Sequence, residues 1–84
     1  MKPAPHVRSN TSNDGLILLD IATGQIFSAN LIAARIWNGL EQGLLLSEII
    51  EEIAADTGAD PVVVERDATE FVNTLRLRAL VEEF

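Results

Sequence analysis

Two turn signals bracket a short apolar run near the N-terminus, and they constrain the fold more than any other feature. Asp14-Gly15 precedes Leu16-Ile17-Leu18-Leu19, and Thr23-Gly24 follows that run. Four apolar residues have the length of a strand, and glycine readily takes the positive φ of a tight reversal. Because Gln25-Ile26-Phe27-Ser28 reads as the returning strand, the sequence predicts an antiparallel hairpin of residues 15–20 with 25–29.

The residues before this hairpin add an arm and a further strand. Residues 1–6 contain two prolines and predict an extended, mobile arm. Val7-Arg8-Ser9 can form a short first strand, and the polar residues 10–15 form a dense turn cluster. The hairpin can thereby be extended to three strands.

After the hairpin, the spacing of apolar residues changes from strand-like to helical. Asn30 is a good N-cap, and Leu31, Ala34, Trp37 and Leu40 follow at helical spacing, which predicts a helix over 31–41. Trp37 lies on the apolar stripe, so it is read as a core anchor in preference to a ligand contact.

Two more helices follow. Ser47 is read as the N-cap of the second helix, which Gly58 ends. Asp60-Pro61 combines an N-cap with proline at the first helical position, and the third helix is expected to run to about Arg78 or Leu80. Its predicted apolar face contains Val64, Ala68, Phe71, Val72, Leu75 and Ala79. Phe71 is also large enough to line the edge of a groove.

These elements predict a single α+β domain over residues 1–84, of winged-helix or helix-turn-helix type. That geometry suggests DNA binding, but the charge opposes it. Residues 1–29 are neutral, so the whole net charge of −7 lies in residues 30–84, and the second helix carries four acids without a base. A helix that binds a duplex needs a basic face, so nucleic acid is not expected as a partner.

The sequence offers no apparatus for catalysis. It has no cysteine and a single histidine, His6, so thiolate and multi-histidine metal sites are excluded. Adjacent acids such as Glu51-Glu52 diverge on a helix, and no catalytic triad or phosphate-binding glycine loop can be assembled. We therefore expect a binding module without cofactor or metal, and not an enzyme. Without a membrane-spanning run or a signal peptide, a cytoplasmic protein is expected, and the net charge of −7 fits a monomer.

One strand is a candidate binding surface. Residues 25–29 contain neither proline nor charge, the features that normally protect a sheet edge, and an open edge can accept a peptide as an additional strand. Alternatively, this strand is central in the sheet or covered by the chain itself, and the residues alone leave both possibilities open.

The ordered motifs resemble the PqqD-like family over about residues 5–81. The resemblance rests on Asp14-Gly15 with Leu18-Leu19-Asp20, on Thr23-Gly24, and on Ala33-Ala34-Arg35-Ile36-Trp37. Later matches are Asp60-Pro61, Val64, Asp67, Phe71, Leu75 and Leu80. No single motif is diagnostic, but their order and spacing together are specific.

The resemblance implies a recognition element for ribosomally made, post-translationally modified peptides. Its fold would be a three-stranded antiparallel sheet packed on three helices. Its function would be to capture the leader segment of a precursor peptide and present it to a processing enzyme. The leader would add as a strand beside the third strand, in a groove closed by the third helix.

Carried to this chain, the resemblance implies a peptide-binding site on two elements. The docking strand would be Gln25, Ile26, Phe27, Ser28 and Ala29, and helical geometry places Val63, Asp67, Glu70, Phe71 and Thr74 on one flank of the third helix. Asp67 would bond the leader backbone or a basic group, or would be a local surface charge. If the helix is rotated, the flank is instead Glu65, Thr69 and Arg76.

Three departures from the family pattern bear on specificity and helix ending. Ile26 replaces a frequent aromatic residue, Ala29 a frequent leucine, and Ala79 the usual glycine after the last helix. The chain is expected to be a stand-alone element that serves a leader protease, as in lasso-peptide synthesis, or a radical SAM enzyme, as in pyrroloquinoline quinone synthesis. The loose match to the quinone proteins favours the lasso type.

Overall fold

A computed structural model describes residues 1–82 of the chain. In chain order, the elements are β1 (Lys2–Pro3), β2 (Val7–Ser12), β3 (Gly15–Asp20), β4 (Ile26–Ala29), α1 (Leu31–Glu41), α2 (Leu46–Thr57), α3 (Pro61–Leu77) and β5 (Val81–Glu82). The predicted α+β class is confirmed, with three helices and a three-stranded antiparallel sheet.

The main sheet has the strand order β2-β3-β4, and every pair in it is antiparallel. Ser12 pairs with Gly15, so the first turn consists only of Asn13 and Asp14. The prediction that residues 10–15 form a turn cluster is therefore wrong for residues 10–12, which belong to β2. Pairing with the apolar β3 gives these polar residues a strand conformation that their own propensity does not favour.

The N-terminal arm is not free. Lys2–Pro3 pairs with Val81–Glu82 in a second, two-stranded sheet, and Ala4 donates its N–H to the Leu80 carbonyl at 3.0 Å. Ala4 is buried. The predicted mobility of residues 1–6 is therefore wrong, because the arm finds its partner at the opposite end of the sequence.

The helix caps follow local chemistry. The Asn30 side chain accepts a hydrogen bond from the Ala33 N–H at 2.9 Å, which confirms the start of α1. The prediction of Ser47 as the N-cap of α2 is wrong. Ser47 lies inside α2, and the Glu48 carboxylate satisfies the Leu45 N–H at 3.0 Å instead.

α3 begins where the sequence predicts and ends earlier than predicted. Asp60 accepts from the Val62 N–H at 2.9 Å, with Pro61 as the first helical residue, as predicted. The helix ends at Leu77, before the predicted Arg78 or Leu80, because Ala79 adopts a left-handed φ of 56°.

The core lies between the inner face of the main sheet and the three helices. Leu16 and Leu18 of β3 face Trp37 and the apolar stripes of the helices, and Trp37 is only 1% exposed. The expected core role of Trp37 is confirmed. On α3, the residues Val64, Ala68, Val72 and Leu75 are buried as predicted, Phe71 is half-buried, and Ala79 is exposed, so its assignment to the apolar face is wrong.

Candidate functional site

β4 is an edge strand, because the sheet ends there. This excludes the alternative in which residues 25–29 run through the middle of the sheet. β4 comprises Ile26–Ala29, and Gln25 lies directly before it. The other edge is β2, whose residues after Val7 are all polar or charged. The two edges therefore differ strongly in chemistry.

The backbone of β4 alternates between pairing with β3 and pointing outward. The Asp20 N–H donates to the Gln25 carbonyl at 2.9 Å, and the register pairs Leu18 with Phe27. In an antiparallel ladder, hydrogen-bonded pairs alternate with pairs that are not bonded. Phe27 and Ala29 therefore bond to β3, whereas the N–H and C=O groups of Ile26 and Ser28 point away from the sheet.

The side chains of β4 alternate in the other direction, between the two faces of the sheet. Phe27 and Ala29 are half-buried beneath the sheet, whereas Ile26 is 69% exposed on the outer face. The Phe27 ring stacks on Phe71 of α3, with 6.2 Å between ring centroids. The Arg78 guanidinium lies over the same Phe27 ring, 5.0 Å from its centroid. α3 is thereby fixed alongside the open edge.

An opening of about 410 Å³ lies between the end of β4, the start of α1 and one flank of α3. It is lined by Ala29, Asn30, Ile32, Ala33, Asp67, Glu70, Phe71 and Thr74. A separate crevice of about 10 Å³, which Arg78 helps to line, lies at the Gln25 end of β4 and shares no lining residue with the larger opening. We call the surface between β4 and α3 the groove, with the opening at its Ala29 end and the crevice at its narrow, Gln25 end.

The groove brings together most, but not all, of the residues that the sequence predicted. Asp67, Glu70, Phe71 and Thr74 line it together with Ala29, so this flank of α3 faces β4. Val63 is 41% exposed and is not among the lining residues. The rotated flank of Glu65, Thr69 and Arg76 does not line the opening either.

Seven residues that line the groove were not predicted for the site. Asn30, Ile32 and Ala33 come from the N-cap and first turn of α1, and Leu18, Asp20, Arg78 and Leu80 line the crevice. Arg78 lies seven residues after Phe71, which is two helical turns on the same face, so this spacing was available as a signal. The α1 residues had no comparable signal in the sequence, because only the tertiary fold brings α1 close to α3.

A second, larger opening of about 570 Å³ lies between the turn that joins β2 to β3 and the outer face of α1. None of the predicted site residues lines it. The smaller opening, in contrast, is lined by five of the predicted site residues, Ala29 of β4 among them. We therefore take the groove between β4 and α3 as the candidate site.

Within residues 1–82, no three His, Asp or Glu side chains come together in a way that could hold a metal ion. Over the same range, no helix combines the length and apolar character that crossing a membrane requires.

Comparison with known proteins gives one family and two structural relatives. The family model for coenzyme PQQ synthesis protein D (PqqD) matches residues 15–81. A solved chain described as TbiB1 in complex with the TbiA(beta) leader peptide is 34% identical, with a TM-score of 0.89, and the match covers 100% of this chain and 98% of that one. Lasso peptide synthetase B1 complexed with the leader peptide has the same fold, with a TM-score of 0.86 at 21% identity over 98% of this chain and 96% of that one. Among curated proteins, none matches this chain.

Proposed function

Because the chain belongs to the PqqD family, we propose that it binds the leader segment of a ribosomally synthesised precursor peptide and presents it to a processing enzyme. The open edge of β4 is the observation that carries this proposal. Ile26 and Ser28 offer two N–H donors and two C=O acceptors, spaced as an added strand requires. The leader would become the fourth strand of the main sheet.

The groove beside this edge gives the leader its side-chain contacts. In an added strand, alternate side chains point to the same face, so every second leader residue would enter the opening between β4 and α3. Phe71 and the aliphatic part of Thr74 provide apolar contact there, and Asp67 and Glu70 provide acceptors. The proposed site is therefore Gln25 to Ala29 together with Asp67, Glu70, Phe71 and Thr74. Val63 does not line the opening, so we leave it out of the proposed site.

The structural relatives support a leader peptide as the ligand. TbiB1, at 34% identity, was solved in complex with a leader peptide. We extend the same ligand class to this chain and propose a lasso-type leader protease as the processing enzyme. A radical SAM enzyme of quinone synthesis is the alternative, and the genes beside this one distinguish the two.

The test is direct binding of a synthetic leader. The probe is the leader of the short precursor encoded nearest to this gene, titrated into the full chain by isothermal calorimetry. Saturable binding with one peptide per chain is expected. If no leader from any short precursor in the neighbourhood binds, the proposed function is wrong.

Asp67 provides the matching variant. Asp67 is exposed and lines the groove, with Arg66 3.4 Å from its carboxylate, so Asp67→Ala removes one groove acceptor without disturbing the core. We expect leader binding to weaken by about fivefold, the value of one exposed charged contact. Glu65→Ala on the outer flank of α3 is the control and should bind as the wild type does. Equal effects of both substitutions would show that this flank does not face the leader.

A further inference from the structure

We propose that charge determines the direction in which the leader binds in the groove. The acidic end of the groove would bind a basic side chain of the leader, and Arg78 at the other end would bind a carboxylate. This inference rests on the proposed leader binding. Asp67 and Glu70 line the open end beside Ala29. Arg78 lines the narrow end beside Gln25 and Ile26. The open end therefore carries two carboxylates, whereas the narrow end carries a guanidinium beside the Asp20 carboxylate.

Arg78 is held in a position suited to a carboxylate. Its guanidinium lies 5.0 Å from the centroid of the Phe27 ring, which itself stacks on Phe71. The cation–π contact holds the guanidinium against the ring, and no hydrogen bond or ion pair within residues 1–82 uses its N–H groups, so they are available for a carboxylate. An arginine held in this way loses less conformational freedom on binding than a free one does.

The neighbouring acid does not occupy this position. Asp20 also lines the narrow end, but its Oδ1 accepts from the N–H groups of Ala22 and Thr23 at 2.9 and 3.2 Å. Its Oδ2 lies 3.9 Å from the His6 Nε2. Asp20 is thus engaged in the turn that joins β3 to β4, and no ion pair joins it to Arg78 within the described residues. The Arg78 guanidinium is therefore available to pair with a carboxylate of a ligand.

Strand geometry turns this polarity into a sequence rule. All pairs of the main sheet are antiparallel, and an antiparallel fourth strand is the more stable continuation. The N-terminal part of the leader then lies near Ala29 and its C-terminal part near Gln25. Groove-facing side chains recur every second residue. The leader should therefore carry a basic residue two or four positions before an acidic one.

The experiment is a double-mutant cycle between Arg78 and the leader. The probe is the fluorescein-labelled leader of the neighbouring precursor, measured by fluorescence polarisation in low salt. Each acidic residue of the leader is changed to its amide in turn, and each peptide is titrated against wild type and Arg78→Gln. Arg76→Gln, on the outer flank of α3, is the control, and far-ultraviolet circular dichroism checks that each variant is folded.

The expected result is that one leader acid, when neutralised, weakens wild-type binding by about fivefold and leaves binding to Arg78→Gln unchanged. Moving the basic residue to an odd spacing should weaken binding by a similar factor. If every acid has the same effect on both proteins, or if a tightly bound leader has no such acid, the charge rule is wrong although leader binding stands. If no leader binds, both proposals fall.

Discussion

Ala79 adopts a left-handed backbone conformation with φ of 56°, directly after the last helix. Such a conformation costs an L-residue with a Cβ about 1 to 2 kcal/mol, and for this reason glycine is favoured after helices. The family resemblance implies a glycine at this position, and alanine there introduces local strain at the end of α3, next to Arg78.

Replacing Ala79 by glycine should relieve this strain. We expect Ala79→Gly to raise the free energy of unfolding by about 1 kcal/mol, which corresponds to about 4 to 8 °C in melting temperature for a domain of this size. Ala59→Gly is the control, because Ala59 has a negative φ and gains nothing from glycine. Thermal denaturation followed by circular dichroism measures both, and a lower melting temperature for Ala79→Gly would contradict the strain.

Gly15 lies directly after the first turn and against the end of β4, the proposed docking strand. Its φ is +134°, and a Cβ at this position would collide with the Ala29 carbonyl oxygen at the end of β4. Gly15 therefore allows β3 to approach the end of the proposed docking strand closely.

Gly15→Ala should accordingly destabilise the fold more than a change in backbone conformation alone would. We expect it to lower the free energy of unfolding by about 2 kcal/mol or more. Gly43→Ala is matched, since Gly43 also has a positive φ, of +79°, but open space around it. Urea denaturation compares the free energies of unfolding of the two variants. Equal losses of stability would mean that a Cβ at residue 15 does not collide with the Ala29 carbonyl.

At the scale of elements, β4 is the strand on which the proposed binding depends, because only one of its two sides is hydrogen-bonded to the sheet. One edge bonds to β3 and the other exposes the backbone of Ile26 and Ser28. Proline at Ile26 removes a donor that β3 does not use, so the sheet should form while the added strand loses a hydrogen bond and meets the proline ring.

We expect Ile26→Pro to reduce leader binding at least tenfold with little change in stability, as measured by calorimetry and thermal denaturation. Ser9→Pro on the opposite edge is the matched control. The Ile21 N–H donates to the His6 carbonyl at 3.0 Å, so the same alternation turns the Ser9 N–H outward from β2. If Ser9→Pro weakens binding as much as Ile26→Pro does, β4 is not the docking edge.

Local signals in the sequence were sufficient for most elements. The bounds of α1, the Asp60-Pro61 start of α3 and the hairpin of β3 with β4 depend on caps and turns within a few residues. The β1–β5 pairing and the contribution of α1 to the groove depend on residues that are distant in sequence, and no local pattern encodes them. For the same reason the sequence alone does not decide which flank of α3 faces β4, since only the packing of Phe71 against Phe27 decides it.

At the scale of the whole molecule, charge separates the two halves of the fold. The N-terminal strands are neutral and the acid excess lies in the residues that form the helices. Acidic helices repel a duplex, so the charge of this helix-turn-helix shape argues against DNA as the ligand. The small second sheet of β1 and β5 joins the two ends of the described chain and leaves the edge of β4 open.

The central claim is that a leader peptide adds to β4 as a strand, and amide hydrogen exchange with and without the leader of the neighbouring precursor tests it most directly. Residue-resolved exchange by NMR should show that the amides of Ile26 and Ser28 exchange rapidly in the free protein and become protected on binding. The amides of Phe27 and Ala29, already bonded to β3, should be protected in both states, and the outward amides of β2 should not change. A bound leader that leaves Ile26 and Ser28 exchanging rapidly would contradict strand addition at this edge.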